Sequence, residues 1–213
     1  MSGPAAPTIG VLAVQGGFEA HERMLRALGA RTLQVRVPAD LRGLDGLVVP
    51  GGESTTMTLG IERDGLAQPL RELAHHGVPV LGSCAGLIML DREHLGCMDI
   101  RAERNAFGRQ VRSFEADVEL RGLEGGPIRA IFIRAPWIAD YGAQVEILAQ
   151  IDGHPVAARE GTILVVSFHP ELGDDERLHR LFLEMVAAAR PAAQAGRAGP
   201  DGKAGLAPHG EFG

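Results

Sequence analysis

Val78-Pro79-Val80-Leu81-Gly82-Ser83-Cys84-Ala85-Gly86-Leu87-Ile88-Met89-Leu90 is the stretch on which the fold reading turns. Val78 to Leu81 is a short apolar run of the kind that forms a strand buried on both faces. Leu87 to Leu90 is apolar at helical length. Between them lies Gly-x-Cys-x-Gly, the spacing of a nucleophile elbow, where a sharp strand-to-helix turn requires small residues two positions either side of the nucleophile. Such a turn exposes Cys84 at the top of a sheet, with the helix N-terminus beneath it, a placement that favours a thiolate. The competing reading is a buried structural cysteine. Ser83 sits one place off the centre of the turn and is not read as the nucleophile.

Outward from this turn, strands and helices alternate. Ile9 to Val14 reads as a buried strand, Phe18 to Leu28 as a helix ending at Gly29, and Arg31 to Val37 as a second strand. Asp45 to Val49 reads as a third strand and Gly65 to His76 as a helix. Parallel β-α-β units follow from this order. Ser113 to Leu120, Pro127 to Ile133, Val145 to Ile151 and Pro155 to Arg159 are strand-like runs separated only by turns. They predict an antiparallel patch attached to the parallel sheet. Thr162 to Phe168 returns to a buried strand. Leu178, Leu181, Phe182, Met185, Val186 and Ala189 mark a final amphipathic helix, with Asp174, Asp175 and Glu176 at its dipole-complementary start. The expected fold is α/β: three layers, α/β/α, around a central mixed, mostly parallel sheet.

The chain has 213 residues, 45% apolar and 23% charged, and a net charge of −6. One sizeable core is expected. The acidic balance argues against a general nucleic-acid binder. Two cysteines, Cys84 and Cys97, are too few for a disulfide framework and suit a reducing cytoplasm. No apolar run is long enough to span a bilayer, and residues 1–8 lack the pattern of a secretory signal. The expected division is a flexible N-terminus over 1–8, a working domain over 9–190, and a disordered tail over 191–213 dominated by Gly, Ala and Pro.

A thiol nucleophile needs a base, and the base an orienter. Of eight histidines, His169 ends the buried strand Thr162 to Phe168, at the sheet edge where Cys84 should also lie. Glu171 follows at i+2, on the same side of an extended segment, so Cys84, His169 and Glu171 can form a triad. His21, His75, His76, His94, His154, His179 and His209 are expected to be solvated or capping. His75-His76 lacks a third ligand, so no metal site is expected. Pro50-Gly51-Gly52-Glu53-Ser54-Thr55-Thr56-Met57 suits an oxyanion loop, its glycines allowing the backbone to aim an N–H into the site, with Ser54 to Thr56 as helix caps. On pattern alone, the arginines of Glu103 to Gln110 and of Phe132 to Pro136 read as a solvated face.

The elbow together with His169-x-Glu171 resembles the class I, triad-type glutamine amidotransferases. Ala13 to Gly16 (AVQG), PGGESTTM at Pro50, CAGLI at Cys84, ERNAFGRQ at Glu103, SFEAD at Ser113, FIRAP at Phe132 and SFHPEL at Ser167 narrow the resemblance. Together they resemble the glutaminase subunits of pyridoxal 5′-phosphate synthase. The resemblance implies glutamine hydrolysis through a thioester on Cys84, with His169 as acid and base and Glu171 as its orienter. It implies oxyanion donors at Gly52 and Ala85, and a glutamine site at Gly51, Gly52, Glu53, Arg104, Ile133 and Arg134, with no cofactor. It also implies a (β/α)₈-barrel synthase partner, in a ring of twelve synthase subunits carrying up to twelve glutaminases. That partner joins the ammonia to a pentose phosphate and a triose phosphate. Asp91 to Ile100 looks short for this family, Ala106 stands where serine is usual, and the tail is extra. A glutaminase serving a different synthase, a stand-alone cysteine hydrolase and a non-catalytic scaffold subunit are the alternative readings.

Overall fold

The computed structural model describes residues 5–104 and 113–197. Residues 1–4 of the expected flexible N-terminus, Asn105 to Gln110 of the ERNAFGRQ stretch, and 198–213 of the expected tail, with His209, lie outside the described residues. The strands are β1 (Thr8–Leu12), β2 (Arg31–Val35), β3 (Gly46–Val49), β4 (Val80–Ser83), β5 (Ile100–Glu103), β6 (Ser113–Val118), β7 (Ile128–Ile133), β8 (Trp137–Tyr141), β9 (Glu146–Ile151), β10 (His154–Glu160) and β11 (Ile163–Val166). The helices are α1 (Phe18–Ala27), α2 (Ser54–Arg63), α3 (Ala67–His75), α4 (Ala85–Leu90) and α5 (Arg177–Arg197).

One seven-stranded sheet runs β2-β1-β3-β4-β11-β10-β9. Its first five strands are parallel; β10 and β9 extend it antiparallel. Side chains alternate between two cores, as a strand's period of two requires. Leu12, Leu47, Val49, Val80, Ile163 and Val165 face Met57 and Ile61 of α2, Leu70 of α3 and Leu87 of α4. Ile9, Val11, Val48, Leu81, Leu164 and Val166 face Leu25 of α1 and Leu178, Phe182 and Val186 of α5. The layers are therefore α/β/α, as expected.

The antiparallel region departs from the expectation. β9 and β10 join the main sheet, but β6 and β7 pair with each other as a separate hairpin. Its Val118, Ile128, Ala130 and Phe132 are buried in the α1/α5 core. Phe132 stacks on Phe114 and meets Phe168 edge-on. β5 and β8 form a second small sheet. Both strands escape a pattern reading because they are short and carry charges (Arg101, Glu103, Asp140). The short Asp91-to-Ile100 connection is tied by Asp91, whose carboxylate accepts the backbone N–H groups of Glu93, His94 and Ala102.

α2 begins at once after the glycine loop, and its cap is Glu53 rather than a hydroxyl residue. The Glu53 carboxylate accepts from the N–H groups of Thr55 and Thr56, which satisfies two orphan donors of the first turn. These bonds hold Glu53 down to about 2. The backbone of α5 continues past Pro191 to Arg197. A proline forfeits one hydrogen bond, but Ala192, Ala193 and Ala195 are strong helix formers. The N-terminal boundary also differs slightly: Thr8 already belongs to β1 and pairs with Arg31, and Ala5 accepts from the Arg190 guanidinium.

Phe182 has no exposed surface and lies at the centre of the α5 contact. Phe182→Ala is expected to lower unfolding free energy by about 3–5 kcal/mol, the usual loss for a buried aromatic. Urea denaturation followed by circular dichroism measures it, and a loss under about 1 kcal/mol would contradict this packing.

Candidate active site

Four chain segments leave the sheet at the C-terminal ends of β1, β3, β4 and β11, next to one another in the strand order. The chain passes from β1 outward to β2 and back to β3, so a crevice opens there, the usual ligand position in open α/β sheets. It is a cavity of about 410 Å³. Cys84, His169, Glu171, Gly51, Gly52, Glu53, Ala85, Arg104, Ile133 and Arg134 all line it. The sequence places these residues across more than a hundred positions; the fold brings every one of them to a single cavity.

Cys84 occupies a backbone conformation that L residues rarely adopt, with φ 49° and ψ −107°. Such strain persists only where its surroundings enforce it. Here β4 ends at Ser83 and α4 starts at Ala85, leaving one residue for the whole reversal. The flanking glycines are required sterically. A Cβ on Gly86 would lie 1.9 Å from the Val49 carbonyl oxygen, and one on Gly82 would lie 2.7 Å from Leu90 and 3.0 Å from Gly86. The Cys84 N–H still donates to Val166 O of β11 at 2.9 Å, so the turn is pinned to the neighbouring strand.

His169 approaches from β11. Its N–H donates to Ile131 O of β7 at 2.9 Å, so the β6–β7 hairpin positions the imidazole. His169 Nδ1 bonds Glu171 Oε1 at 2.8 Å, which leaves Nε2 for the thiol. Burial disfavours the imidazolium, but interaction with Cys84 and with the Glu171 carboxylate outweighs burial and raises His169 well above an ordinary imidazole. Burial likewise favours a neutral Glu171, yet the hydrogen bond from His169 and the nearby His21 hold it below the usual carboxylate range. The group is an ion-paired chain rather than three independent side chains.

The glycine loop differs in its reason. Neither Gly51 nor Gly52 has a positive φ; both are needed for space. A Cβ on Gly51 would lie 2.5 Å from His169 Cε1 and 3.2 Å from Cys84 Cβ, and one on Gly52 would lie 2.3 Å from Gln15 Oε1. Ala85 is the first residue of α4, so its N–H has no carbonyl one turn back within the helix. The Ile133 carbonyl lies 3.8 Å from Cys84 Sγ, and Arg134 adopts φ 45° at the end of β7. Arg104 reaches Thr55 Oγ1 at 3.4 Å. Arg104 and Arg134, read from pattern as part of a solvated face, thus border the cavity.

Two histidines overturn the expectation of solvated or capping roles. His21 and His179 have no exposed surface and lie behind Glu171. His21 Nε2 is 3.2 Å from Glu171 Oε2. The signal was present: His21 lies four residues before buried Leu25 on α1, and His179 three before Phe182 on α5, so both fall on apolar stripes. Gln15 was also missed as a functional residue; its Oε1 accepts the Glu53 N–H at 2.7 Å. Ser83 is fully buried and turned toward His21, away from a nucleophile's position.

Cys97 is a contrast to Cys84. Burial pushes its thiol up to about 11. At pH 8, one equivalent of iodoacetamide is expected to modify Cys84 and leave Cys97 as thiol; peptide mapping that found the label on Cys97 first would contradict this. The Glu171 carboxylate gives a stability prediction. Its folded value lies below the unfolded value of 4.5, so its contribution is full above that pH and lost as pH falls through the folded value. The stability gap between the protein and Glu171→Gln should therefore be widest above pH 4.5 and close on acidification; a gap that widens in acid would contradict the ion pair.

Comparison with known proteins adds the family. The SNO glutamine amidotransferase family matches residues 11–188. A protein of Dehalococcoides mccartyi named pyridoxal 5′-phosphate synthase subunit PdxT is 50% identical over 193 residues, 86% of this chain and 99% of its own. A PdxT of Geobacillus thermodenitrificans is 51% identical over 189 residues, 85% of this chain and 96% of its own. A solved structure described as a glutamine amidotransferase is 44% identical, with a TM-score of 0.79, covering 84% of this chain and 98% of that one. The strained cysteine turn, the paired histidine and carboxylate, and a match over most of the domain agree: this chain belongs to the SNO glutamine amidotransferase family.

Proposed function

We propose that the protein is the glutaminase subunit of a pyridoxal 5′-phosphate synthase. It hydrolyses L-glutamine to L-glutamate and ammonia and delivers the ammonia to a synthase subunit. The observation that carries the reading is the strained Cys84 beside a buried His169–Glu171 pair, in a cavity lined by every residue expected at a glutamine site. Membership of a glutamine amidotransferase family whose relatives are named PdxT supports it.

In this mechanism the Cys84 thiolate attacks the side-chain amide carbon of glutamine. The carbonyl oxygen gains negative charge and is held by the N–H groups of Gly52 and Ala85; one such donor is typically worth about 10²–10³ in rate. The imidazolium of His169 gives its Nε2 proton to the amide nitrogen, and ammonia leaves as the γ-glutamyl thioester forms. His169, now neutral, takes a proton from water, whose oxygen attacks the thioester. Glutamate departs and the thiolate returns, with His169 protonated again. Glu171 holds the Nδ1–H of His169 throughout. Arg104 and Arg134 suit the substrate α-carboxylate, and the Ile133 carbonyl accepts from its α-ammonium group. Glu53 contributes by shape: its carboxylate caps α2 and its N–H is held by Gln15, so it fixes the loop bearing Gly52.

The partner in this reading is a (β/α)₈-barrel synthase subunit, in an assembly of up to twelve of each chain. The setting is cytoplasmic, consistent with the composition; among the described residues no helix is long and apolar enough to cross a membrane.

Cys84→Ala is expected to abolish glutamine hydrolysis while leaving binding to the synthase subunit intact. Titrating the barrel subunit into the unaltered protein should raise its glutaminase rate. Full hydrolysis by Cys84→Ala would remove the mechanism, and a rate indifferent to the barrel subunit would favour a stand-alone hydrolase.

A further inference from the structure

Behind the Glu171 carboxylate lies a polar cluster that the thioester mechanism does not use. His21 of α1, Ser83 of β4 and His179 of α5 are all fully buried, and each comes from a different element. His21 Nε2 stands 3.0 Å from Ser83 Oγ and 3.2 Å from Glu171 Oε2. His21 Nδ1 stands 2.8 Å from His179 Nε2. Together with His169, these contacts make one continuous chain from His169 through Glu171 to α5. Among the described residues no three His, Cys, Asp or Glu side chains are arranged to hold a metal ion, so the cluster is a hydrogen-bond network.

The proton positions follow from what each atom faces. Glu171 Oε1 is occupied by His169. Oε2 is buried and has no well-aligned hydrogen bond; the nearest donor is His21 Nε2. A bare nitrogen lone pair facing a buried carboxylate oxygen at that distance would be repulsive. Nε2 therefore carries a hydrogen, shared between Ser83 Oγ and Glu171 Oε2. On its other side, His21 Nδ1 shares a hydrogen with His179 Nε2 at 2.8 Å. The one atom left over is His179 Nδ1, and it is indeed buried without a partner. Burial holds His179 uncharged, down to about 3.

We propose that His21 is a positioning residue for the reaction: its Nε2–H secures the second oxygen of Glu171, so that the first stays aimed at His169 Nδ1 and His169 keeps Nε2 toward Cys84. The proposal rests on the reading of Cys84, His169 and Glu171 as the catalytic group. A carboxylate anchored through one oxygen only can rotate away from the imidazole; anchored through both, it cannot. The backbone cooperates, because Gly17 just before α1 lies against Glu171: a Cβ there would be 3.2 Å from Oε1.

Three replacements of His21 test this, assayed for glutamine hydrolysis with the synthase subunit present. His21→Gln keeps an amide N–H near the position of Nε2, His21→Asn reaches only as far as Nδ1, and His21→Leu keeps neither. His21→Gln should stay within a few-fold of the unaltered protein. His21→Asn and His21→Leu should lose about 10- to 100-fold in kcat, with KM nearly unchanged. Their kcat/KM profiles should also show the acid limb displaced to higher pH, because Glu171 loses a hydrogen bond to its charged form. The titratable groups facing that carboxylate are His169 from the β11 end, with Cys84 beyond it, and His21 from α1, with His179 of α5 behind; Glu53, Arg104 and Arg134 border the cavity. The His169 Nδ1–H proton resonance, which needs no turnover, should move in the Asn and Leu variants and stay in the Gln variant. A folded Asn or Leu variant with unchanged kcat and acid limb would overturn the proposal, as would a Gln variant as impaired as Asn. Should His21→Leu fail to fold, the Gln–Asn contrast decides alone. Failure of the catalytic reading itself would show elsewhere, in a Cys84→Ala variant that still hydrolyses glutamine.

Discussion

The single-residue reversal at Cys84 is the constraint around which the site is assembled. A strand that ends at Ser83 and a helix that begins at Ala85 leave the thiol no other place to point than out of the sheet edge. That reversal is possible only because Gly86 lies flat against the Val49 carbonyl and Gly82 against the α4 turn. The unfavourable backbone at Cys84 is offset by its hydrogen bond to β11 and by the apolar burial of α4, whose residues are all shielded from solvent. Strain and function coincide here, since relaxing the turn would lower the thiol back into the sheet edge.

The other groups gather at that thiol by separate routes. His169 is delivered by β11, a parallel neighbour of β4, but its final position depends on Ile131 of β7. The hairpin β6–β7 thus acts on the site twice, through His169 and through the Ile133 carbonyl near Cys84. Its anchorage is aromatic: Phe132 stacks on Phe114 and meets Phe168 edge-on. Three packed phenylalanines therefore anchor the hairpin that bonds His169.

Much of this was legible in the sequence, for physical reasons that can be named. The elbow was readable because its spacing is dictated by local sterics, and Glu171 because a period of two places it beside His169. The inner strands β3, β4 and β11 were readable because strands buried on both faces are largely apolar. What escaped was decided by contacts between distant segments. β5 and β8 are short and charged and pair with each other across nearly forty residues, so no local pattern announces them. Glu53 was expected to meet substrate, yet its carboxylate is consumed by the α2 cap. His21 and His179 were assigned to solvent because histidine is usually exposed, although their positions on apolar helical stripes pointed inward. The glycines of the loop were expected to serve backbone freedom and instead serve close approach.

The loops that follow β1 and β3 are joined at two points, Gly17 N–H to Gly51 O at 3.0 Å and Glu53 N–H to Gln15 Oε1 at 2.7 Å. Gly16 lies so close to Gly51 that a Cβ would sit 1.9 Å from its carbonyl oxygen. Mechanically, two loops stitched this tightly have the freedom of one. The rim of the cavity is then a single stiff lip, continuous with α1 on one side and α2 on the other. Any force that shifts the start of α2 is carried across the lip to the start of α1, and so to the histidine beneath Glu171. The Gly52 side and the Glu171 side of the cavity are in this sense one moving part.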